Sequence, residues 1–193
     1  MPSPEFDVIV VGLGVMGGSI AGRLARCGRR VLGLDRHRPP HVHGSSHGHT
    51  RATREVYGDD DRYVPLVQRT NQIWRQLQDA TGNRLLINTG ILLMGAPKSP
   101  LIRDSEAAAQ RHGIASERVD REQISRRWPQ FRTGPDMCGL WDPSGAILLV
   151  EPCIEALLAD AEAHGAVLRC DAGVESWRAE AGKVTVHTTA GTY

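Results

Sequence analysis

The sequence of 193 residues has few lysines, few cysteines and no long apolar run. Lys98 and Lys183 are the only lysines, and the other basic side chains are arginines and histidines. The net charge at pH 7 is only +1, which argues against nucleic acid or an anionic membrane surface as a partner. The apolar run Val8–Val11 is interrupted by Gly12, so it is far too short to cross a membrane.

The cysteines are widely separated in the sequence and form no C-x-x-C pair. This spacing argues against a disulfide framework and against a zinc site, and we predict no bound metal. The first residues also lack the basic segment and the small-residue cleavage site of a signal peptide. These features together predict a cytoplasmic protein whose thiols are reduced.

A glycine motif, Gly12-x-Gly14-x-x-Gly17, lies between an apolar β-branched run and a stretch with helical character. In a dinucleotide-binding turn the first glycine permits the tight turn, the second admits the pyrophosphate, and the third lets helix and strand pack closely. The helix that begins near Met16 then offers free N–H groups and a partial positive charge to the phosphates. The motif predicts a bound dinucleotide.

Asp35 ends the next predicted strand, where a carboxylate can accept hydrogen bonds from ribose hydroxyl groups and disfavours NADP. The motif alone does not separate FAD from NAD. The loop that follows favours FAD, because Pro39-Pro40 and Gly44-Ser45-Ser46-His47-Gly48 replace the second helix that is usual in nicotinamide-binding domains. Such a loop could reach along the cofactor toward its reactive ring.

Histidines are concentrated in this same loop, at positions 37, 41, 43, 47 and 49. A transition-metal site is one interpretation. However, no carboxylate or thiol lies within the loop, so histidines exposed to solvent are favoured, with His47 as the exception.

Hydrophobic spacing and turn residues predict the regular elements. Asp120 and Gln123 are predicted to form a capping box at the start of a short helix. Residues 36–50 are predicted to be a loop. Helices are expected at about Met16–Cys27, Tyr63–Ala80, Ser99–Arg111 and Glu151–His164, and strands at Phe6–Val11, Arg30–Asp35, Leu85–Gly95, Met137–Asp142, Ala146–Val150, Val167–Cys170, Val174–Arg178 and Lys183–Thr189.

The chain resembles the monomeric sarcosine oxidase and N-methyltryptophan oxidase family, which are FAD-dependent amine oxidases. The resemblance runs in order along essentially the whole chain and is most specific between His47 and Arg54. The matching segments are Asp7–Gly17, Gly44-Ser45-Ser46-His47-Gly48-His49-Thr50-Arg51, Arg54, Tyr57, Tyr63-Val64-Pro65-Leu66, Thr89–Leu92, Arg127–Pro129 and Gly145–Leu148.

The resemblance implies oxidation of the C–N bond of a secondary amine or N-methyl amino acid, with hydride passing to FAD and O₂ being reduced to H₂O₂. It implies that His47 and Arg51 lie beside the flavin ring, that Arg54 pairs with the substrate carboxylate, and that Val174 lies near the adenine. Ser45 and Ser46 are expected in the same cofactor-binding loop. Arginine suits these positions because it pairs with carboxylates in a bidentate manner and because positive charge stabilises reduced, anionic flavin.

The expected fold is α/β, or α+β when the whole chain is counted. It is a Rossmann-like FAD-binding βαβ domain with part of an inserted antiparallel substrate domain. We expect the first segment of the FAD-binding domain in residues 1–87, part of the substrate domain in residues 88–149, and the second FAD-binding segment in residues 150–193.

The resemblance also implies a flavin-attachment cysteine, an oxygen-activating lysine and a second carboxylate-binding lysine, all in the later half of family members. Neither Lys98 nor Lys183 falls at a matching position. We therefore expect the N-terminal portion of a longer oxidase, inactive by itself and monomeric when complete. Two alternatives stay open: an NAD-dependent dehydrogenase, and an incomplete fragment that binds nucleotide or pairs with a second chain.

Overall fold

The computed structural model describes residues 5–193, so the first four residues of the predicted 1–87 segment lie outside the described part. The strands are β1 (Val8–Val11), β2 (Val31–Leu34), β3 (Thr50–Thr53), β4 (Leu86–Asn88), β5 (Ile91–Gly95), β6 (Glu117–Val119), β7 (Cys138–Asp142), β8 (Ala146–Leu149), β9 (Val167–Arg169), β10 (Val174–Glu180), β11 (Lys183–Thr188) and β12 (Gly191–Thr192). The α-helices are α1 (Val15–Arg26), α2 (Val64–Thr81), α3 (Pro100–His112), α4 (Arg121–Arg127) and α5 (Val150–Ala163), and a short 3-10 helix (Asp61–Tyr63) precedes α2.

The described residues divide into two compact units. The first unit contains the residues up to His49 together with Val150–Tyr193, and the second unit is Thr50–Leu149. The boundary predicted at residue 87 therefore differs from the division in the structure. Residues 50–87 belong to the second unit because β3 and β4 both pair with β8.

The first unit contains a parallel sheet in the order β1-β2-β9. All four residues of β2 are buried, as expected for a strand that is covered on both faces. A separate antiparallel sheet has the order β10-β11-β12. The strand–helix–strand passage through α1 confirms the Rossmann-like βαβ prediction.

Helices α1 and α5 of the first unit pack closely because small residues lie between them. A Cβ added to Gly18 would lie 3.3 Å from Leu158 Cδ2, and one added to Gly22 would lie 3.2 Å from Asp160 Oδ2. The Arg26 guanidinium also forms two hydrogen bonds to the Asp160 carboxylate, and the one from Nε is 3.0 Å long. The glycines that follow the motif therefore serve helix packing.

The second unit contains two antiparallel sheets, in the orders β3-β8-β4 and β5-β7-β6. Its core includes the buried side chains of Val56, Val64, Ile102 and Leu140. This arrangement confirms the predicted antiparallel insertion. Among residues 5–193, no helix has the length and the apolarity that crossing a bilayer requires.

The single strand predicted over Leu85–Gly95 is wrong, because the structure has two strands, β4 and β5, in different sheets. The chain bends at Gly90, whose φ of +65° favours glycine, and a Cβ there would lie 1.8 Å from the Trp141 ring. Strand β3 was not predicted because its sequence, TRAT, is polar and largely exposed. The capping box of Asp120 and Gln123 at α4 is confirmed.

Candidate functional site

The turn after β1 in the first unit depends on two of the predicted glycines. Gly12 has a φ of +90°, and its N–H donates to the Leu34 carbonyl at 2.7 Å, which joins the turn to β2. A Cβ added to Gly17 would lie 1.7 Å from the Gly12 carbonyl oxygen. A side chain at position 17 therefore cannot be accommodated unless the turn moves away from α1.

The N-terminus of α1 meets the loop that was predicted to contact the cofactor. Gly14 precedes the helix, and the Val15 N–H donates to Ser46 Oγ at 3.1 Å. A Cβ on Gly14 would lie 2.9 Å from the same Oγ. Met16 lies in the first turn of the helix and is 74% exposed. The structure thus brings Gly14, Met16 and Ser46 together at a helix end that can bind an anion.

Asp35 connects the glycine turn to the segment after β2. Its side chain is only 9% exposed, Oδ2 accepts from the Leu13 N–H at 2.7 Å, and Oδ1 accepts from the His37 N–H at 2.9 Å. Burial by itself would raise the pKa of this carboxyl, but the hydrogen bonds from His37, Leu13 and the His41 ring outweigh it, and the pKa is lowered. Asp35 is therefore an ionised acceptor that orients the turn.

Three of the loop histidines form a cluster of rings, in which His43 is exposed and His37 and His41 are partly buried. The ring centroids of His37 and His43 are 4.1 Å apart, and those of His37 and His41 are 5.2 Å apart. His41 Nε2 lies 3.2 Å from Asp35 Oδ1. In the part of the chain that the structure describes, no group of three histidine, cysteine or acidic side chains is arranged to hold a metal ion.

The other predicted residues of the first unit lie at its loop and in its second sheet. Ser45 is exposed and His47 is partly buried. Val174 begins β10 and packs against the cluster that contains Leu32 and Leu34.

The predicted arginines of the second unit lie in and just after β3. Arg51 is exposed on the strand, and its Nη1 donates to the Thr50 carbonyl at 3.0 Å. Arg54 follows the strand, and its guanidinium lies 4.8 Å from the centre of the Tyr57 ring. Its Nη2 is 3.6 Å from Asp59 Oδ2, a distance too long for a hydrogen bond. Its Nε is buried and has no hydrogen-bond partner among the described residues.

The sequence from residue 7 to residue 193 matches the family described as FAD dependent oxidoreductase, abbreviated DAO. This match covers nearly the whole chain. The chain belongs to this family. An NAD-dependent dehydrogenase, the alternative left open by the glycine motif, finds no support in the comparisons.

Relatives within the FAD-dependent oxidoreductase family include two named amine oxidases. Monomeric sarcosine oxidase of Bacillus sp. (strain B-0618) is 35% identical over 99% of this chain and 49% of that protein. N-methyl-L-tryptophan oxidase of Citrobacter koseri is 31% identical over 98% of this chain and 51% of that protein. The chain therefore spans about half the length of the curated relatives that it matches.

A solved structure gives the same relationship. The open form of a mutant of NikD, described as an unusual amino acid oxidase essential for nikkomycin biosynthesis, superposes with a TM-score of 0.85. It is 32% identical in sequence, and the match covers 97% of this chain and 48% of NikD. Both the sequence and the fold thus correspond to the N-terminal portion of such oxidases.

The residues present fit the ADP part of the family's cofactor. The turn has no side chains at Gly12, Gly14 and Gly17, a helix N-terminus follows it, and Asp35 stands at the end of β2. An ionised carboxylate has about four acceptor sites, and the contacts of Asp35 use three of them. One site is left for a ribose hydroxyl group.

Sequence reasoning missed two buried polar residues of the second unit, Asn71 and Asp142. The sequence Asp142-Pro143-Ser144 carries a local signal, since aspartate often accepts from the N–H two residues later in a turn, as Asp142 does from Ser144. No local signal indicates the contacts that Asp142 makes with the segment after Arg54.

Proposed function

We propose that this chain is the FAD-binding and carboxylate-binding portion of an oxidase that acts on the C–N bond of an N-methyl amino acid or related secondary amine. O₂ would be the electron acceptor and H₂O₂ the product. The surroundings of the Arg54 guanidinium are the observation that supports an amino acid as the substrate.

The first unit would hold the cofactor through the turn and loop already described. Gly12, Gly14 and Gly17 leave room for the pyrophosphate, the N-terminus of α1 offers it N–H donors, and Asp35 accepts from the ribose. FAD, when bound, supplies the acceptor for the hydride that leaves the carbon next to nitrogen. His47 and Arg51 are proposed to face the flavin ring and to stabilise its negative charge, and Val174 to lie near the adenine.

Arg54 is suited to a carboxylate for three reasons. Its side chain is only 32% exposed, so water competes less for the guanidinium. The Tyr57 ring lies beside the guanidinium and limits its movement. The buried Nε lacks a hydrogen-bond partner among residues 5–193, and a buried donor without a partner is costly unless a ligand supplies the acceptor. An amino acid carboxylate would supply it, in the bidentate geometry that arginine favours.

The names of the relatives support this substrate class, since sarcosine and N-methyl-L-tryptophan are both N-methyl amino acids. We also propose that the complete oxidase is a cytoplasmic monomer that binds neither nucleic acid nor membrane. These last points rest on the composition and on the name of the sarcosine oxidase relatives.

The experiment is the Arg54→Gln substitution in the complete oxidase, assayed with an N-methyl amino acid and with its decarboxylated analogue. Loss of a partly buried charge pair costs about 2 kcal/mol or more, which corresponds to at least about a 30-fold fall in kcat/KM for the acid. The fall should be mainly in KM, and it should nearly vanish for the analogue.

Arg69→Gln is the matched control, because Arg69 is an exposed arginine of the same unit and pairs only with Gln72 among the described residues. It should leave both substrates unaffected. Equal losses on the acid and on the analogue in Arg54→Gln would show that Arg54 is structural. The proposal of an amino-acid substrate would then be withdrawn.

A further inference from the structure

Asp142 is a completely buried carboxylate at the end of β7, and it joins two distant parts of the second unit. Oδ2 accepts from the N–H groups of Glu55 and Val56, each at 3.2 Å. Oδ1 accepts from the N–H of Ser144 at 2.8 Å and from its hydroxyl at 2.5 Å. The carboxylate therefore fixes the backbone immediately after Arg54 to the turn between β7 and β8.

Asn71 of α2 is also completely buried, and it holds the side chains on both sides of Arg54. Its Oδ1 accepts from Thr53 Oγ1 at 2.9 Å, and its Nδ2 donates to Glu55 Oε1 at 3.2 Å. Asn71 therefore fixes the side chains of both sequence neighbours of Arg54.

The two buried residues thus constrain the backbone after Arg54 and both of its neighbours, whereas the guanidinium itself lies against Tyr57 and near Asp59. A long arginine side chain loses rotamer entropy when it binds, and this loss is smaller if its backbone is already fixed. Misplacement of a binding group by about 1 Å can lower a rate by about 100-fold. A fixed backbone at position 54 therefore matters for the recognition of a carboxylate.

We infer that Asp142 and Asn71 are positioning residues that aim Arg54 at the substrate carboxylate. This inference rests on the function proposed above, and it adds that substrate specificity depends on buried residues that do not contact the substrate. Neither residue is a catalytic residue.

The test is Asp142→Asn in the complete oxidase, with Ser144→Ala as the matched control. Asparagine keeps the shape of aspartate, but its NH₂ group cannot accept from an N–H donor. Either the hydrogen bonds to Glu55 and Val56 or the one from the Ser144 N–H must therefore break. Alanine at position 144 removes one hydroxyl and leaves the contacts to Glu55 and Val56 intact. We expect Asp142→Asn to raise KM for the N-methyl amino acid by about 10- to 100-fold, with little change for the decarboxylated analogue and in FAD content. Ser144→Ala should change KM by less than about 3-fold, since the hydrogen bonds that hold the backbone after Arg54 remain.

Thr53→Val is a second variant, because it removes only the hydroxyl that donates to Asn71 and keeps the volume. Its effect should be smaller than that of Asp142→Asn but equally selective for the acid. If Asp142→Asn does not fold, this variant decides the question. Equal effects of Thr53→Val on both substrates, or no effect on either, overturn the inference.

The double variant Arg54→Gln/Asp142→Asn separates the inference from the function on which it rests. If Asp142 acts through Arg54, the double variant should be no worse toward the acid than Arg54→Gln alone. Additive losses overturn the positioning role while the carboxylate role of Arg54 stands. If Arg54→Gln itself fails to distinguish the acid from the analogue, the proposed substrate class fails instead.

Discussion

The two units of this chain build their candidate sites from different materials. In the first unit the site consists mainly of backbone: the N–H groups at the start of α1 and the space left by Gly12, Gly14 and Gly17. In the second unit the group proposed to bind the carboxylate is one charged side chain, Arg54, whose sequence neighbours are held by buried polar residues from other elements. A site made of backbone requires glycines at a fixed spacing within one short segment. A site made of a side chain depends on contacts between residues that lie far apart in the sequence.

The strongest way to test this contrast is to add one methyl group to the backbone site. In Gly17→Ala the new Cβ would lie 1.7 Å from the Gly12 carbonyl oxygen, so the turn must move and FAD should be lost almost completely. The measurement is the visible absorbance of flavin in the purified protein.

Gly134→Ala, in the second unit and away from the glycine turn and its loop, is the control for this substitution. A Cβ at position 134 would meet its nearest neighbour, Met137 Cγ, at an ordinary 3.9 Å. This variant should keep its flavin. A Gly17→Ala protein with normal flavin content would refute the backbone description of the site.

How far the sequence predicts each site follows from the same contrast. The glycine motif and Asp35 were predictable because the motif needs only local spacing and because both flank short apolar strands. The contact of Asp142 with Glu55 spans 87 positions, and no local pattern encodes it. The break at Gly90 was likewise missed, because the reason for a glycine there is the ring of Trp141 on another strand.

Asp35 is the exception in the first unit, because it is a side chain that holds the backbone of the glycine turn in place. Asp35→Asn lets only one of the Leu13 and His37 N–H groups keep its acceptor, which should cost about 1–3 kcal/mol of unfolding free energy near pH 7. The pKa of Asp35 is lowered by folding, so the carboxylate stabilises the fold above its unfolded pKa of about 3.9, and this stabilisation is lost as the pH falls through the lower folded pKa.

Urea unfolding of the wild-type protein and of Asp35→Asn, from pH 7 down to about pH 3, measures this effect. The difference between them should be constant near neutral pH and should shrink below about pH 4. A difference that did not change with pH would mean that the charge of Asp35 contributes nothing.

The smallest expected effect concerns a feature of the second unit that the sequence did predict, because it depends only on residues close together in the chain. Asp120→Ala removes the cap of α4 in the second unit, where Oδ1 accepts from the Gln123 N–H at 2.8 Å. Loss of such a cap costs about 1 kcal/mol, measurable by urea unfolding. Ser99→Ala at the start of α3 is the control, because Ser99 Oγ donates to the Ala96 carbonyl and does not cap the helix. Equal losses in the two variants would contradict the assignment of the cap.

The pairing of Thr50 with Leu149 has a consequence for the order in which the chain folds. The parallel pair β2 and β9 joins residues that lie far apart in the sequence, and contacts of such separation form slowly because a long loop must first close. Folding of the second unit closes that loop, since its first and last residues are partners in one sheet and the adjacent Val150 N–H then reaches the His49 carbonyl at 3.2 Å. Once the second unit is folded, the chain segments that lead to β2 and to β9 therefore start from adjacent residues. The loop that must close before these two strands pair is then much shorter than the sequence separation suggests.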